Sequence, residues 1–134
     1  MKRYIYIISF GILVWLIPFI LSIPFYSPSG DILIDQGLFK SIMVLFGSGT
    51  GAVSIILLFR KITADYFKTG LIIGFIWLII NWGLDYLILL PLSGMGITDY
   101  LNQIGVRYLS ILIMAVMAGW ICDEVIKKNR KVNE

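Results

Sequence analysis

The feature that most constrains this chain is where its charges are absent. Four mainly apolar runs, at residues 4–23, 38–59, 70–90 and 104–126, are separated by stretches rich in charged or turn-forming residues at 24–37, 60–69 and 91–103. Each run is about 20 residues, enough for a helix rising about 1.5 Å per residue to cross a ~30 Å hydrocarbon core. A barrel strand would be about half as long and would alternate apolar with polar residues. None of the runs sustains that alternation. The sequence therefore predicts an all-α fold, a transmembrane bundle of four helices forming one membrane domain over residues 1–134.

Composition agrees: 59% of the 134 residues are hydrophobic and 14% charged, with a mean hydropathy of +0.92. A soluble domain has about 45–50% apolar and about 25% charged residues. A chain this small cannot hide so much apolar surface in its own core, whereas lipid can cover it. The expected first partner is the bilayer.

Lysine and arginine then set an orientation, because cytoplasmic flanks carry an excess of them. Lys2, Arg3, Arg60, Lys61, Lys68, Lys127, Lys128, Arg130 and Lys131 fall at one set of run ends, and only Lys40 and Arg107 at the other. The expectation is a multi-pass protein of the cell membrane with both termini and the middle loop in the cytoplasm. The pI of about 9.1 is a topology signal, and no nucleic-acid partner is expected. Lys2 and Arg3 before an apolar run also fit a signal peptide. That run is longer than the usual ~7–15 residues, however, and Ser27-Pro-Ser29 is a weak cleavage site. Cleavage would leave three helices; four are expected.

Sliding the second half onto the first by 67 residues aligns Trp15 with Trp82, Pro24 with Pro91, Gln36 with Gln103, Lys40 with Arg107, and Arg60-Lys61 with Lys127-Lys128. One reading is two tandem parallel helical hairpins related by an axis along the membrane normal. The other is that any two hairpins share basic inner flanks and a proline after a helix.

Asp85 is the most informative residue. It lies well inside the third run, where an ionisable group is costly and faces the bundle interior or a water-filled cavity. Asn81, one turn earlier, shares its helical face. Arg107, at a similar depth at the start of the fourth run, is the natural partner. An Asp85–Arg107 pair would be a structural clasp, and the functional alternative is a gate, proton relay or ion-coordinating group. Arg107 also has the reach to meet headgroups instead.

Gly47-Ser48-Gly-Thr50-Gly51 lies mid-run in the second helix. It has neither the preceding strand nor the lysine of a phosphate loop. Gly47–Gly51 and Gly70–Gly74 have the spacing that lets helices approach closely. The alternative at the first pair is an unwound stretch in which Ser48 and Thr50 line a site with Asn81. Pro18 is expected to kink the first helix, and Pro91 to end the third. Trp15, Trp77 and Trp82 lie too deep for an interfacial belt and suggest packing. Residues 97–103 are expected as a short surface helix capped by Thr98 or Asp99.

Histidine is absent and Cys122 is alone, so histidine-based triads and histidine metal sites are unavailable. No cofactor or metal is expected. Asp123 and Glu124 read as solvated. The chain is not expected to be an enzyme.

The pattern Gly70-x-x-x-Gly74-x-x-Trp77-x-x-x-Asn81-x-x-x-Asp85, followed by Pro91, resembles small prokaryotic membrane proteins of unassigned function. Tyr100-Leu-x-x-Ile104-Gly-x-Arg107-Tyr108-Leu is similar to the segment that comes after it in them. The resemblance covers the latter half best and implies four helices but no activity. The residues themselves favour an ion channel or small-solute transporter using the face around Asn81 and Asp85. A homo-oligomer is expected, since four short helices leave little room for an internal pathway. The alternative is a non-transporting scaffold or accessory subunit held by the Asp85–Arg107 clasp.

Overall fold

A backbone that lies in lipid must close its hydrogen bonds within its own segment. The computed structural model, which describes residues 2–132, does this along four long rods. Helix α1 spans Lys2–Ser22 and ends in a 3-10 turn, Ile23–Phe25, that contains Pro24. Helix α2 spans Gln36–Phe59, and the Asp35 side chain caps it by accepting from the Leu38 amide at 2.9 Å. Helix α3 occupies Tyr66–Ser93. A short helix α4, Ile97–Gln103, comes next, and a 3-10 turn, Gly105–Tyr108, leads into α5, Leu109–Val132. All four long helices are long and apolar enough to cross a membrane, and the chain reads as a multi-pass membrane protein.

Both ends of the third helix differ from the sequence expectation for physical reasons. Pro91 does not end the third helix. A proline ring clashes with the carbonyl four residues back in a straight α-helix. Here the preceding turn, Asp85–Leu89, is wound as a π-helix, and the Leu90 amide donates to the Asp85 carbonyl five residues back. The helix then continues through Leu90–Ser93. At its other end, α3 starts at Tyr66, after Asp65 in the left-handed region at φ 52°. Asp65 does not cap it. Asp123 of α5 does, accepting from the Phe67 amide at 3.0 Å, so this carboxylate is spent on a helix end and is not merely solvated. The short helix α4 has Gly96 at its N-cap with no side-chain bond, in place of Thr98 or Asp99.

Around the bundle the helices run α2, α1, α3, α5, with the most extensive contact between α3 and α5. Small residues explain that contact. A Cβ on Gly70 would run into the Ala115 carbonyl, one on Gly74 would lie 3.0 Å from the Leu112 Cα, and one on Gly119 would lie 2.5 Å from the Tyr66 carbonyl. Backbone therefore meets backbone along this hairpin. Helices α2 and α5 meet only at the end of the bundle that carries the termini. There Ile55, Leu58 and Phe59 join Ile73 and Ala115 in the core. Cys122 packs against this core.

Exposure is inverted relative to a soluble protein. Leu45, Ile79 and Leu87 are about 70% exposed, whereas Thr69, Asn81 and Asp85 are buried to 1% or less. Lipid solvates the apolar faces, and the polar groups withdraw to where they find partners.

Candidate functional site

Thr69, Ile73, Trp77, Asn81 and Asp85 recur every four residues on α3, so they form one stripe. Every member is buried, and the stripe faces α1, which runs parallel to α3. The Trp77 indole donates to the Ile7 carbonyl at 2.7 Å. Eight residues further along both helices, the Trp15 indole donates to Asp85 Oδ1 at 2.6 Å. Arg3 bonds the Thr69 hydroxyl at the terminal end of the same seam. Gly11 makes the close approach possible, since a Cβ there would lie 2.7 Å from the Trp77 ring. An indole N–H can only donate, so Asp85 Oδ1 is an acceptor. Trp15 is held by stacking on Phe19, with ring centroids 4.7 Å apart.

The second Asp85 oxygen accepts from the Tyr100 hydroxyl at 2.8 Å. The Tyr108 side chain approaches the same carboxyl. One acid thus ties together α1, α3, α4 and the turn before α5. Burial, and then the Asp85 carboxyl beside it, push the Tyr100 hydroxyl well above the ordinary tyrosine range, so Tyr100 keeps its proton as a donor.

The Asp85–Arg107 pair expected from sequence does not form. Among the described residues Arg107 makes no ion pair, and its side chain is exposed. The cause is local winding. The 3-10 turn Gly105–Tyr108 rotates about 120° per residue rather than about 100°, and it presents Tyr108 to α3 instead.

Asp85 and Trp15 form the floor of a cavity of about 250 Å³ at the end of the bundle away from the termini. It exists because α2 and α5 separate there, beyond the contact of Gly51 with the Met114 side chain. Gly47 and Ser48 of α2 form part of one wall, and Lys40, Gln103 and Arg107 line it nearer the rim. Lys40 Nζ donates to Gln103 Oε1 at 2.8 Å, linking α2 to α4.

The structure brings Ser48, Asp85 and Arg107 to one cavity and leaves the other expected polar groups outside it. The Thr50 hydroxyl donates to the Phe46 carbonyl of its own helix at 2.8 Å and does not line the cavity. Asn81 lies one turn below the floor. Its Nδ2 donates to the Trp77 carbonyl at 2.7 Å, and its Oδ1 has no partner among the described residues. Gly47 and Gly51 are not a close helix crossing: a Cβ on Gly47 would meet only the Pro18 ring at 3.9 Å, and one on Gly51 only the Met114 methyl at 3.6 Å. Gly70 and Gly74 do lie at a close crossing.

Sequence reasoning missed Trp15, Tyr100, Lys40 and Gln103. A signal for Trp15 was present. A tryptophan deep in the bundle needs an acceptor for its N–H, and Asp85 is the one acid within the apolar runs away from the helix ends.

A second hollow of about 470 Å³ lies at the terminal end between the start of α3 and the end of α5. Its Asp123 is the α3 cap, and no group of three His, Cys, Asp or Glu among the described residues is placed to hold a metal. Comparison with protein-family models, with curated proteins and with solved structures returned no match. Function therefore has to be inferred from the chemistry of the site itself.

Proposed function

We propose that this chain is a small membrane transport protein, acting as a homo-oligomer, that loads a small solute or ion into the far-end cavity. The single observation that carries this reading is a buried acid, Asp85, standing at the floor of a cavity that opens at one end of the bundle. An intramembrane carboxyl is costly, and it marks solute and ion pathways when it borders a cavity. Below it the stripe continues through Asn81, with its unpartnered Oδ1, to Thr69 and Arg3. Trp77 and Ile73, both fully buried, plug the seam between them. Passage then requires α1 and α3 to part, which is alternating access around a fixed site. The basic flanks support cytoplasmic termini, with the cavity mouth on the outer side.

The test is flux into proteoliposomes. Wild-type protein should carry at least one small ion or solute, and Asp85→Asn should reduce that flux at least tenfold while the protein stays folded. Flux unchanged by Asp85→Asn would remove Asp85 from the mechanism, and the absence of flux for every solute tried would remove the class.

A second reading has its own observation: one carboxyl binds Trp15 and Tyr100 from two other helices. In that case the group is a clasp in a scaffold or accessory subunit. It then predicts a folding defect in Asp85→Ala and no flux in wild type.

A further inference from the structure

We infer that the ligand of the far-end cavity is a small amphiphile with an anionic head, its oxyanion held by Arg107 and Lys40 and its apolar part lying against α1. This deepens the transport reading and rests on it for the idea that the cavity is a loading site.

Charge placement is the first observation. Of the 11 lysines and arginines, only Lys40 and Arg107 fall at the far end of the bundle, and both line the same cavity. They reach it from opposite walls, Lys40 from α2 and Arg107 from the turn before α5. A pair of cations placed only for solubility would have no reason to converge on one hollow. Neither is neutralised. The Arg107 guanidinium has no hydrogen bond or ion pair among the described residues, and Lys40 has one neutral partner, Gln103. The one acid in the cavity forms no ion pair with either among the described residues, and its partners are the neutral donors Trp15 and Tyr100.

An unmatched pair of cations bordering a lipid-embedded hollow calls for an anion. The planar guanidinium fits a carboxylate or phosphate with two parallel bonds, and the lysine adds a point charge. The Asp85 carboxyl at the floor opposes a deep anion, so the head belongs near the rim. Depth fits: Lys40 is one turn into α2, whereas Asp85 lies about 12 Å below the end of α3 at 1.5 Å per residue. Beneath the rim the walls are mainly apolar, with Val14, Phe19, Phe39 and Ile111 among them, which suits a short tail. At about 250 Å³ the cavity lies just below the ~300–1,000 Å³ of ordinary ligand pockets, so the tail is short.

The experiment measures binding of hexyl phosphate to the full chain in nanodiscs of neutral phosphatidylcholine, by calorimetry. Saturable binding is expected, weakened at least tenfold by Arg107→Gln and several-fold by Lys40→Gln. Hexanol should not saturate, and inorganic phosphate should bind at least tenfold more weakly. Gly47→Leu supplies a blocking variant: a Cβ there meets only the Pro18 ring at 3.9 Å, so its side chain should fill the cavity and abolish binding. Equal affinity in wild type and Arg107→Gln, hexanol binding as well as hexyl phosphate, or full binding to Gly47→Leu would each overturn the inference. Inorganic phosphate binding as tightly as hexyl phosphate would overturn the amphiphile. Nanodiscs containing phosphatidylglycerol separate the two sources of such a ligand. Competition by that lipid assigns the site to a headgroup, and no competition assigns it to a soluble amphiphile. Flux of some other solute without hexyl phosphate binding would overturn this inference and spare the transport reading. Binding with no flux of any solute would do the reverse.

Discussion

The two hairpins carry the same glycine spacing and use it in opposite ways. In the α3–α5 hairpin, Gly70, Gly74 and Gly119 bring backbone against backbone. In the α1–α2 hairpin, a Cβ on Gly47 would meet only the Pro18 ring at 3.9 Å and one on Gly51 only the end of a flexible methionine. The spacing permits close approach, but the facing helix decides whether it happens. The two hairpins thereby divide the labour. The tight one is a rigid frame holding Asp85, and the looser one leaves the hollow above it.

The largest expected effect tests this division directly. Gly119→Leu must push the start of α3 off α5, because its Cβ would meet the Tyr66 carbonyl at 2.5 Å, and overpacking of this kind costs about 3 kcal/mol or more. Gly47→Leu should cost less than about 1 kcal/mol, since the residue gains helix propensity and meets no backbone. Unfolding in mixed micelles of increasing sodium dodecyl sulfate content measures both. Equal losses would mean that the two hairpins are packed alike.

The next effect concerns what joins the hairpins. Trp15→Phe keeps the stack on Phe19 and removes the donor to Asp85 Oδ1. A loss of about 2 kcal/mol is expected from leaving a buried acceptor short of a partner. In a cycle with Asp85→Leu, the double variant should lose less than the sum of the two single losses, because the Trp15–Asp85 bond can be lost only once. Strictly additive losses would show that the bond contributes little to joining α1 and α3.

Legibility in the sequence differs between the spans and the contacts that join them. The four spans and the weight of Asp85 could be read from the sequence, because lipid imposes rules of length and charge on every residue in it. The partner of Asp85 could not be read so directly. Arg107 was at the right depth, but depth is one coordinate and rotation about the helix is another. The 3-10 winding at Gly105–Tyr108 changed the rotation. Pro91 did signal irregular backbone, yet a proline alone does not say whether a helix stops or is rewound as a π-turn. The cavity was the least legible feature, because it depends on where α2 parts from α5 and no local pattern encodes that separation.

Tyr100 offers a pH-dependent test of the junction. Its proton is held well above the ordinary value of 10.0 in the folded chain, whereas in the unfolded chain it titrates normally. The unfolded state therefore binds fewer protons above pH 10 and stability must fall there, by up to about 1.4 kcal/mol per pH unit. Below pH 10 the contribution is fully present. Tyr100→Phe should be less stable near neutral pH but should lack this part of the alkaline loss. Parallel stability curves for the two proteins from pH 9 to 11 would show that Tyr100 is not buried against Asp85.

The smallest effect lies at the terminal end, within the tight hairpin. Asp123 caps α3 from the neighbouring helix, through the Phe67 amide, because Asp65 is turned into the left-handed region and makes no side-chain cap bond. Asp123→Ala should then cost about 1 kcal/mol, the ordinary value of a helix cap. Asp65→Gly should cost nothing or stabilise slightly, since glycine accepts a positive φ without strain. The cap is also a local probe of the frame. If α3 and α5 move as one body, Asp123→Ala should raise amide exchange at Tyr66–Thr69 alone and leave the Asp85 end of α3 unchanged. Exchange that rises along the whole of α3 would show that the cap holds the hairpin together, and the close glycine contacts would no longer account for its rigidity.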